Sequence, residues 1–255
     1  PGSPVLTVEG TFAECVFLET LVLSILNHDS AVATAAARMV CAAGDRPCIE
    51  MGSRRTHEDA AIAAARAAYV AGFAATSNLA AGHRWDIPTT GTAAHAFTLL
   101  HDDERTAFQA QVGALGVATT LLVDTYDVEA GIRTAVEVAG TSLGAIRLDS
   151  GDLPTQARDA RRLLDELGAT ETRIVVTSDL DEHAIAALAS APVDGYGVGT
   201  SVATGSGSPT AGFVSTLVAR ARAAGPWVAV EKLSPGKRSS GGRKHASRRI
   251  DRGIA

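Results

Sequence analysis

One pattern recurs along this chain: a short run of β-branched or small residues, a polar or glycine-rich turn, then an amphipathic helix. Seven segments fit the strand part of it, 47–52, 72–76, 87–90, 117–123, 145–148, 173–177 and 195–198. Strands joined through helical crossovers run parallel, since a tight turn returns a chain only antiparallel. Seven such units imply a doubly wound sheet or a closed barrel. Gly91, Gly151 and Gly199 follow strand candidates, at the end of a barrel where active-site loops gather, and favour the barrel. The expected fold is α/β: an irregular TIM-like barrel of parallel strands with preceding helices, and with part of a second, smaller domain missing. A run at 227–230, entered through Gly225 and Pro226, fits equally as an eighth strand or as a strand outside the barrel.

The expected domains are an N-terminal helical segment packing on the barrel (1–46), the barrel (47–225) and a C-terminal segment of the smaller domain (226–255). Apolar residues recur at helical spacing across 12–44, and the polar break Asn27, His28, Asp29, Ser30 predicts two packed helices there. Thr56 and Asp59 resemble a capping box. Pro154 and Gly168 bracket a later helix, and Asp181 can cap another, an effect worth about 1 kcal/mol.

At 255 residues and 46% hydrophobic content the chain can bury one large core. A net charge of −5 argues against a protein that lives on nucleic acid, which needs surplus Lys and Arg. The basic tail (Lys237, Arg238, Arg243, Lys244, Arg248, Arg249, Arg252) has no interleaved aromatic residue and reads as a solvated or incomplete segment. Cys15, Cys41 and Cys48 are odd in number and lack CxxC spacing, so reduced thiols and a cytoplasmic setting are expected. The most apolar stretch, 12–26, is interrupted by Glu14 and Glu19 and too short to cross a bilayer, so no membrane association is expected. The opening at Pro1 and the basic close suggest a fragment.

Nearly every strand candidate ends in a group able to act on phosphate, ribose or a charged ring: Gly52 and Arg54; Ser77 and Asn78; His95; Asp124 and Asp127; Arg147 and Asp149; Asp179; Gly199 and Thr200. One polar loop residue means little, but their joint placement after successive strands points to a shared site. His95 in GTAAHAF is either a packed histidine or an acid–base or nucleophilic group, and Asp124 or Asp127 in VDTYD can orient it. In RLDSGD, Arg147 suits bidentate contact with phosphate or carboxylate, while Asp149 suits hydroxyl protons or water-held Mg²⁺. Asp179 in SDLD adds acidity to the same rim. Gly197, Gly199 and Thr200 bring backbone amides past a strand end as a phosphate cradle, although GxGxxG is absent and a dinucleotide fold is disfavoured.

With these motifs in view (MGSRR, ATSN, GTAAH, VDTYD, RLDSGD, SDLD and YGVGT, in order), the sequence resembles the nicotinate phosphoribosyltransferases, type II phosphoribosyltransferases, from about Gly10 to Lys244. The resemblance implies an irregular barrel with a smaller domain built from both ends of the full chain, working as a homodimer. It implies condensation of nicotinate with phosphoribosyl pyrophosphate, ATP as co-substrate with a phosphorylated histidine, and Mg²⁺. Carried onto this chain, the phosphohistidine is His95, held by Asp124 or Asp127. Arg54 and the 197–200 loop contact phosphates. Arg147, Asp149, Ser150 and Asp179 hold ribose and pyrophosphate, with Asp149 and Asp179 as metal ligands. A neutral Asn78, where related nicotinamide enzymes carry aspartate, favours nicotinate; capping of the following helix is the plainer role for it. Quinolinate or nicotinamide as substrate, or a non-catalytic truncated fragment, are the alternatives. The family's N-terminal aspartate and tyrosine motif is not found.

Overall fold

The computed structural model describes residues 3–223 and 225–247, which leaves Arg248, Arg249 and Arg252 outside the described residues. Two compact units are present. One comprises residues 28–211; the other is drawn from both ends of the chain, its described part being 3–27 and 212–247 without Ala224.

The larger unit carries six parallel strands: β1 (Cys48–Glu50), β2 (Ala75–Thr76), β3 (Thr120–Leu122), β4 (Ala145–Leu148), β5 (Arg173–Val176) and β6 (Gly195–Val198). They lie in the order β2-β1-β6-β5-β4-β3, curled as a half-barrel. Register pairs such as Ile49 with Ala75 and Gly197, and Ile146 with Leu121 and Ile174, place all six carboxyl ends along one rim. The expected strand at 87–90 forms only one bridge, Thr76 to Thr89. Pro88 has no N–H to donate; its carbonyl accepts from Thr76 N at 3.0 Å, and the ladder stops there.

Helices α2 (Glu58–Val70), α3 (Leu79–Trp85), α4 (His95–Leu100), α5 (Glu104–Leu115), α6 (Val128–Ala139), α7 (Leu153–Glu166), α8 (Glu182–Ala187) and α9 (Thr200–Ala203) follow the strands. In α7 the buried residues Leu153, Ala157, Ala160, Leu163 and Leu164 recur at helical spacing. They pack on Leu121, Ile146, Leu148, Ile174 and Val176, each full burial contributing about 1.5–3 kcal/mol. Pro154 and Gly168, the latter at φ +77°, bracket α7 as expected, and Asp181 caps α8 through the amides of His183 and Ala184. The helix after MGSRR is capped by His57, whose Nδ1 accepts from Asp59 N, and not by Thr56, because the helix begins one residue later than a Thr56 cap requires. Burial pushes the Cys48 thiol up to about 12, which makes it a packing group.

The N-terminal expectation of two helices is corrected. A single helix, α1 (Phe12–Ala43), runs through the polar break. No Gly or Pro interrupts 27–30, and the polar side chains are engaged laterally: Asp29 pairs with His28 and Arg66, while Asn27 exchanges hydrogen bonds with the backbone of Phe213. By length and composition α1 is also sufficient to cross a membrane, contrary to the reading of 12–26 alone. Its second half nevertheless buries Ala31, Val32, Ala35, Ala36, Met39 and Ala43, most of them in the core of the α/β unit. The two compact units divide at 27/28 and 211/212, and the apolar face of 31–43 packs into the core of the larger one. The run at 227–230 contributes β8 (Val228–Ala229), antiparallel to β7 (Ala219–Arg220) and outside the parallel sheet.

Gly131 in α6 faces the backbone of Val123, where an added Cβ would overlap the carbonyl oxygen. Helix propensity alone favours alanine there by roughly 1 kcal/mol; the contact reverses the sign. Gly131→Ala is expected to destabilise by about 1–3 kcal/mol in chemical denaturation, and a stabilised variant would refute the packing argument.

Candidate active site

The rim gathers the polar residues that follow each strand. At its centre is Arg147, extending from β4 with its side chain 13% exposed. Nε donates to Thr177 Oγ1 at 2.8 Å, Nη1 donates to Thr92 Oγ1 at 2.6 Å and to the carbonyl of Ala93 at 3.4 Å, and Nη2 meets Asp149 Oδ1 at 2.8 Å. The guanidinium thereby ties the GTAAH loop to the ends of β4 and β5. The same loop delivers His95, the first residue of α4.

His95 has Nδ1 3.2 Å from Thr125 Oγ1, while Nε2 lies 3.6 Å from Asp149 Oδ2 and 3.9 Å from Asp124 Oδ1. The two latter distances are ion-pair range and longer than hydrogen bonds. Asp124, its side chain only 2% exposed, also accepts from Asp149 N (2.8 Å) and Ser150 Oγ (2.9 Å) through Oδ2. Burial pushes the Asp149 carboxyl up, but the Thr177 hydroxyl, Arg147 and His95 together hold it below the usual carboxylate range. The arrangement can place a proton or a phosphoryl group on an imidazole backed by two anions.

Of the two aspartates expected to hold His95, the structure brings Asp124 alone; Asp149 is the second. Asp127 caps α6, accepting from Ala130 N at 2.9 Å. Asn78 caps α3 through Ala81 N (2.8 Å) and donates from Nδ2 to Ser53 Oγ (2.9 Å). Ser77 donates its amide to the carbonyl of Glu50 at 2.8 Å. Arg54 and Asp179 are exposed on the rim, the latter after Ser178, whose φ of +120° costs about 1–3 kcal/mol. Gly197 lies buried inside β6, where a Cβ would meet Thr177 Cγ2 at 2.6 Å and Met51 Sδ at 2.8 Å, so close packing accounts for it; Gly199 and Thr200 stand at the start of α9 on the rim. Among the described residues no group of three or more His, Cys, Asp or Glu is placed to hold a metal ion.

Sequence reasoning passed over four residues. Thr92 and Thr177 anchor Arg147, and Glu50 is a carboxylate 1% exposed at the end of β1. Glu104, in the first turn of α5, has Oε1 buried without a hydrogen-bond partner among the described residues, as has Asp124 Oδ1. An acid flanked by apolar strand residues, such as Glu50 in CIEMG, was the available signal.

Residues 32–206 match the family described as quinolinate phosphoribosyl transferase, C-terminal domain. The chain belongs to this family. It is 65% identical to the nicotinate phosphoribosyltransferase pncB1 of Mycobacterium tuberculosis over 98% of its own length and 56% of the relative's. It is 42% identical to the nicotinate phosphoribosyltransferase of Bacillus subtilis, over 98% and 53% respectively. Among solved structures, the nicotinate-nucleotide pyrophosphorylase of Pyrococcus furiosus superimposes with a TM-score of 0.75 at 31% identity, covering 80% of this chain and 54% of that one. Human nicotinic acid phosphoribosyltransferase superimposes at 0.69 and 29%, covering 78% and 53%. The chain spans about half the length of the curated relatives it matches.

Desolvation, then the charges of Asp124 and Asp127, push the Glu104 carboxyl from 4.5 up to about 7. The folded state therefore holds this proton more tightly than the unfolded chain. The associated stability is full below about pH 4.5 and is lost as pH rises through about 7. Glu104→Gln, which mimics the protonated form, is expected to match the parent Tm near pH 4.5 and exceed it at pH 8. An equal difference at both pH values would refute the assignment.

Proposed function

We propose that this chain forms the α/β part of a nicotinate phosphoribosyltransferase, which joins nicotinate to the ribose C1 of phosphoribosyl pyrophosphate and releases pyrophosphate. The observation that carries this reading is the convergence of His95, Asp124, Arg147 and Asp149 on one rim in a chain 65% identical to an enzyme of that name.

As the bond from C1 to pyrophosphate breaks, positive charge develops on the ribose, and Asp149 and Asp179 supply negative charge beside it. Arg54, with the backbone of Gly199 and the Thr200 hydroxyl, binds phosphate. Arg147, already engaged by Asp149, Thr177 and Thr92, positions Asp149. Asp149 and Asp179, on adjacent strands, fit a Mg²⁺ ion that arrives on substrate phosphates, since such ions commonly use one or two carboxylates plus phosphate oxygens. There the ion would neutralise charge on the departing pyrophosphate.

ATP couples to the reaction through His95. With Asp124 and Asp149 facing Nε2, the ring proton is assigned to Nε2; Nδ1, which the Thr125 hydroxyl faces, takes the γ-phosphoryl group as its bond to ADP breaks, and water later cleaves the P–N bond to release phosphate. A cytoplasmic homodimer is part of the same reading. A single carboxylate on the pyridine, as in nicotinate, suits a rim whose central arginine is already occupied; quinolinate would demand further cations.

The test uses the full-length polypeptide with nicotinate, phosphoribosyl pyrophosphate and ATP. His95→Ala is expected to abolish ATP hydrolysis while slow ATP-independent transfer survives; ATP hydrolysis still in step with product would overturn the role of His95. Asn78→Asp places a charge about 4 Å from the substrate carboxylate, a penalty of roughly 4 kcal/mol at an effective dielectric of 20. Nicotinate binding is then expected to weaken by close to a thousandfold, and unchanged affinity would remove Asn78 from the acid-binding end.

A further inference from the structure

Glu50 ends β1 with a carboxylate that is 1% exposed. Its Oε1 accepts the amide of Gly52, and its Oε2 accepts the hydroxyl of Thr76 at 2.5 Å. Thr76 Oγ1 in turn accepts Asn78 N at 3.0 Å, and Asn78 Nδ2 donates to Ser53 Oγ at 2.9 Å. The circuit runs through four hydrogen bonds among Gly52, Glu50, Thr76, Asn78 and Ser53 and closes through the Gly52–Ser53 peptide bond, adding side-chain links between the loops after β1 and β2 to the backbone pairing of the two strands.

The surroundings fit this bonding closely. A Cβ on Gly52 would stand 2.6 Å from Ala203 Cβ, 2.8 Å from the Gly199 carbonyl and 2.9 Å from Glu50 Oε1, so only glycine lets the loop reach the carboxylate. Burial pushes the Glu50 carboxyl up, while the bonds from Thr76 and Gly52 pull it back. A buried carboxylate is costly to maintain, and a plain packing role would be served by an apolar residue of similar size.

We propose that Glu50 is a positioning residue for the acid-binding end of the site: its carboxylate ties the 51–55 loop to the 76–78 loop and so sets where Asn78 stands against Ser53. The role in substrate recognition rests on the nicotinate reading above; the mechanical link between the loops does not. Glu50→Gln keeps the volume but replaces one acceptor oxygen by an NH2 donor, so either the Gly52 N–H loses its acceptor or the Thr76 hydroxyl must turn from donor to acceptor. Thr76→Val breaks the circuit from the other side.

In the full-length polypeptide each variant is expected to raise the KM for nicotinate about tenfold, equivalent to about 1.4 kcal/mol, without lowering kcat at saturating nicotinate. A fall in kcat with KM unmoved, or no change in either, would overturn the positioning role. Amide hydrogen exchange supplies the second measurement. Glu50→Gln is expected to accelerate exchange in 51–55 and 76–78 together, whereas acceleration confined to one loop would refute the link. If the parent protein makes no nicotinate mononucleotide while the exchange result holds, the functional reading fails and the coupling of the loops stands.

Discussion

The site depends on the guanidinium of Arg147. The ladder of backbone hydrogen bonds leaves the sheet open between the Thr89 bridge and β3, and side chains make the connection that the strands do not. Arg147 reaches Thr92 and the Ala93 carbonyl on one side, Asp149 and Thr177 on the other. His95 adds a second link through Thr125. Breaking a mostly buried pair of this kind strands the remaining charge and costs more than the pair contributes net. That asymmetry makes Arg147 a fixed point for the loop carrying the histidine, not a cation free to follow a ligand.

Around this fixed point the fold concentrates negative charge. Asp124, Asp149 and Glu104 approach His95 or one another, and Asp124 Oδ1 has no hydrogen bond among the described residues. Helix caps would relieve such crowding, yet Asp103, Asp127 and Asp181 cap helices through their carboxylates while Asp124 does not. The carboxylate beside the imidazole is thus left with one oxygen unpartnered among the described residues. Desolvation first, and the charges of Asp124 and Asp127 second, push the neighbouring Glu104 carboxyl up to about 7.

Periodicity made much of this legible. The strand and helix alternation gave the parallel sheet, and caps at Pro154, Gly168 and Asp181 fell where expected because cap chemistry is local. What failed was non-local. The polar break in α1 could not be told from a helix end, since its partners Arg66 and Phe213 are distant in sequence. Asp124 and Asp127, three residues apart, look equivalent as partners for His95; only the start of α6 immediately after Asp127 separates them, by using its carboxylate as a cap. Glu50, Thr92 and Thr177 matter through contacts across loops, which no local pattern encodes. Gly197 looked like part of a phosphate cradle because glycine serves both backbone exposure and close packing; here packing against Met51 and Thr177 accounts for it.

Strand order adds a constraint on how one ligand can be held. Asn78 and Arg54 follow β2 and β1, whereas Asp124 and Asp149 follow β3 and β4, at the far side of the sheet. Neighbouring strands lie about 4.8 Å apart, so the rim from β2 to β3 measures roughly 24 Å if laid flat. That is wider than a single nucleotide, and a flat sheet with these residues would present two separate sites. Curling the sheet, and bringing the segment beyond β2 back to β4 through Thr92 and Arg147, shortens the gap across the rim. Under the proposed function, that shorter gap is what would let one sugar phosphate be engaged from both ends at once.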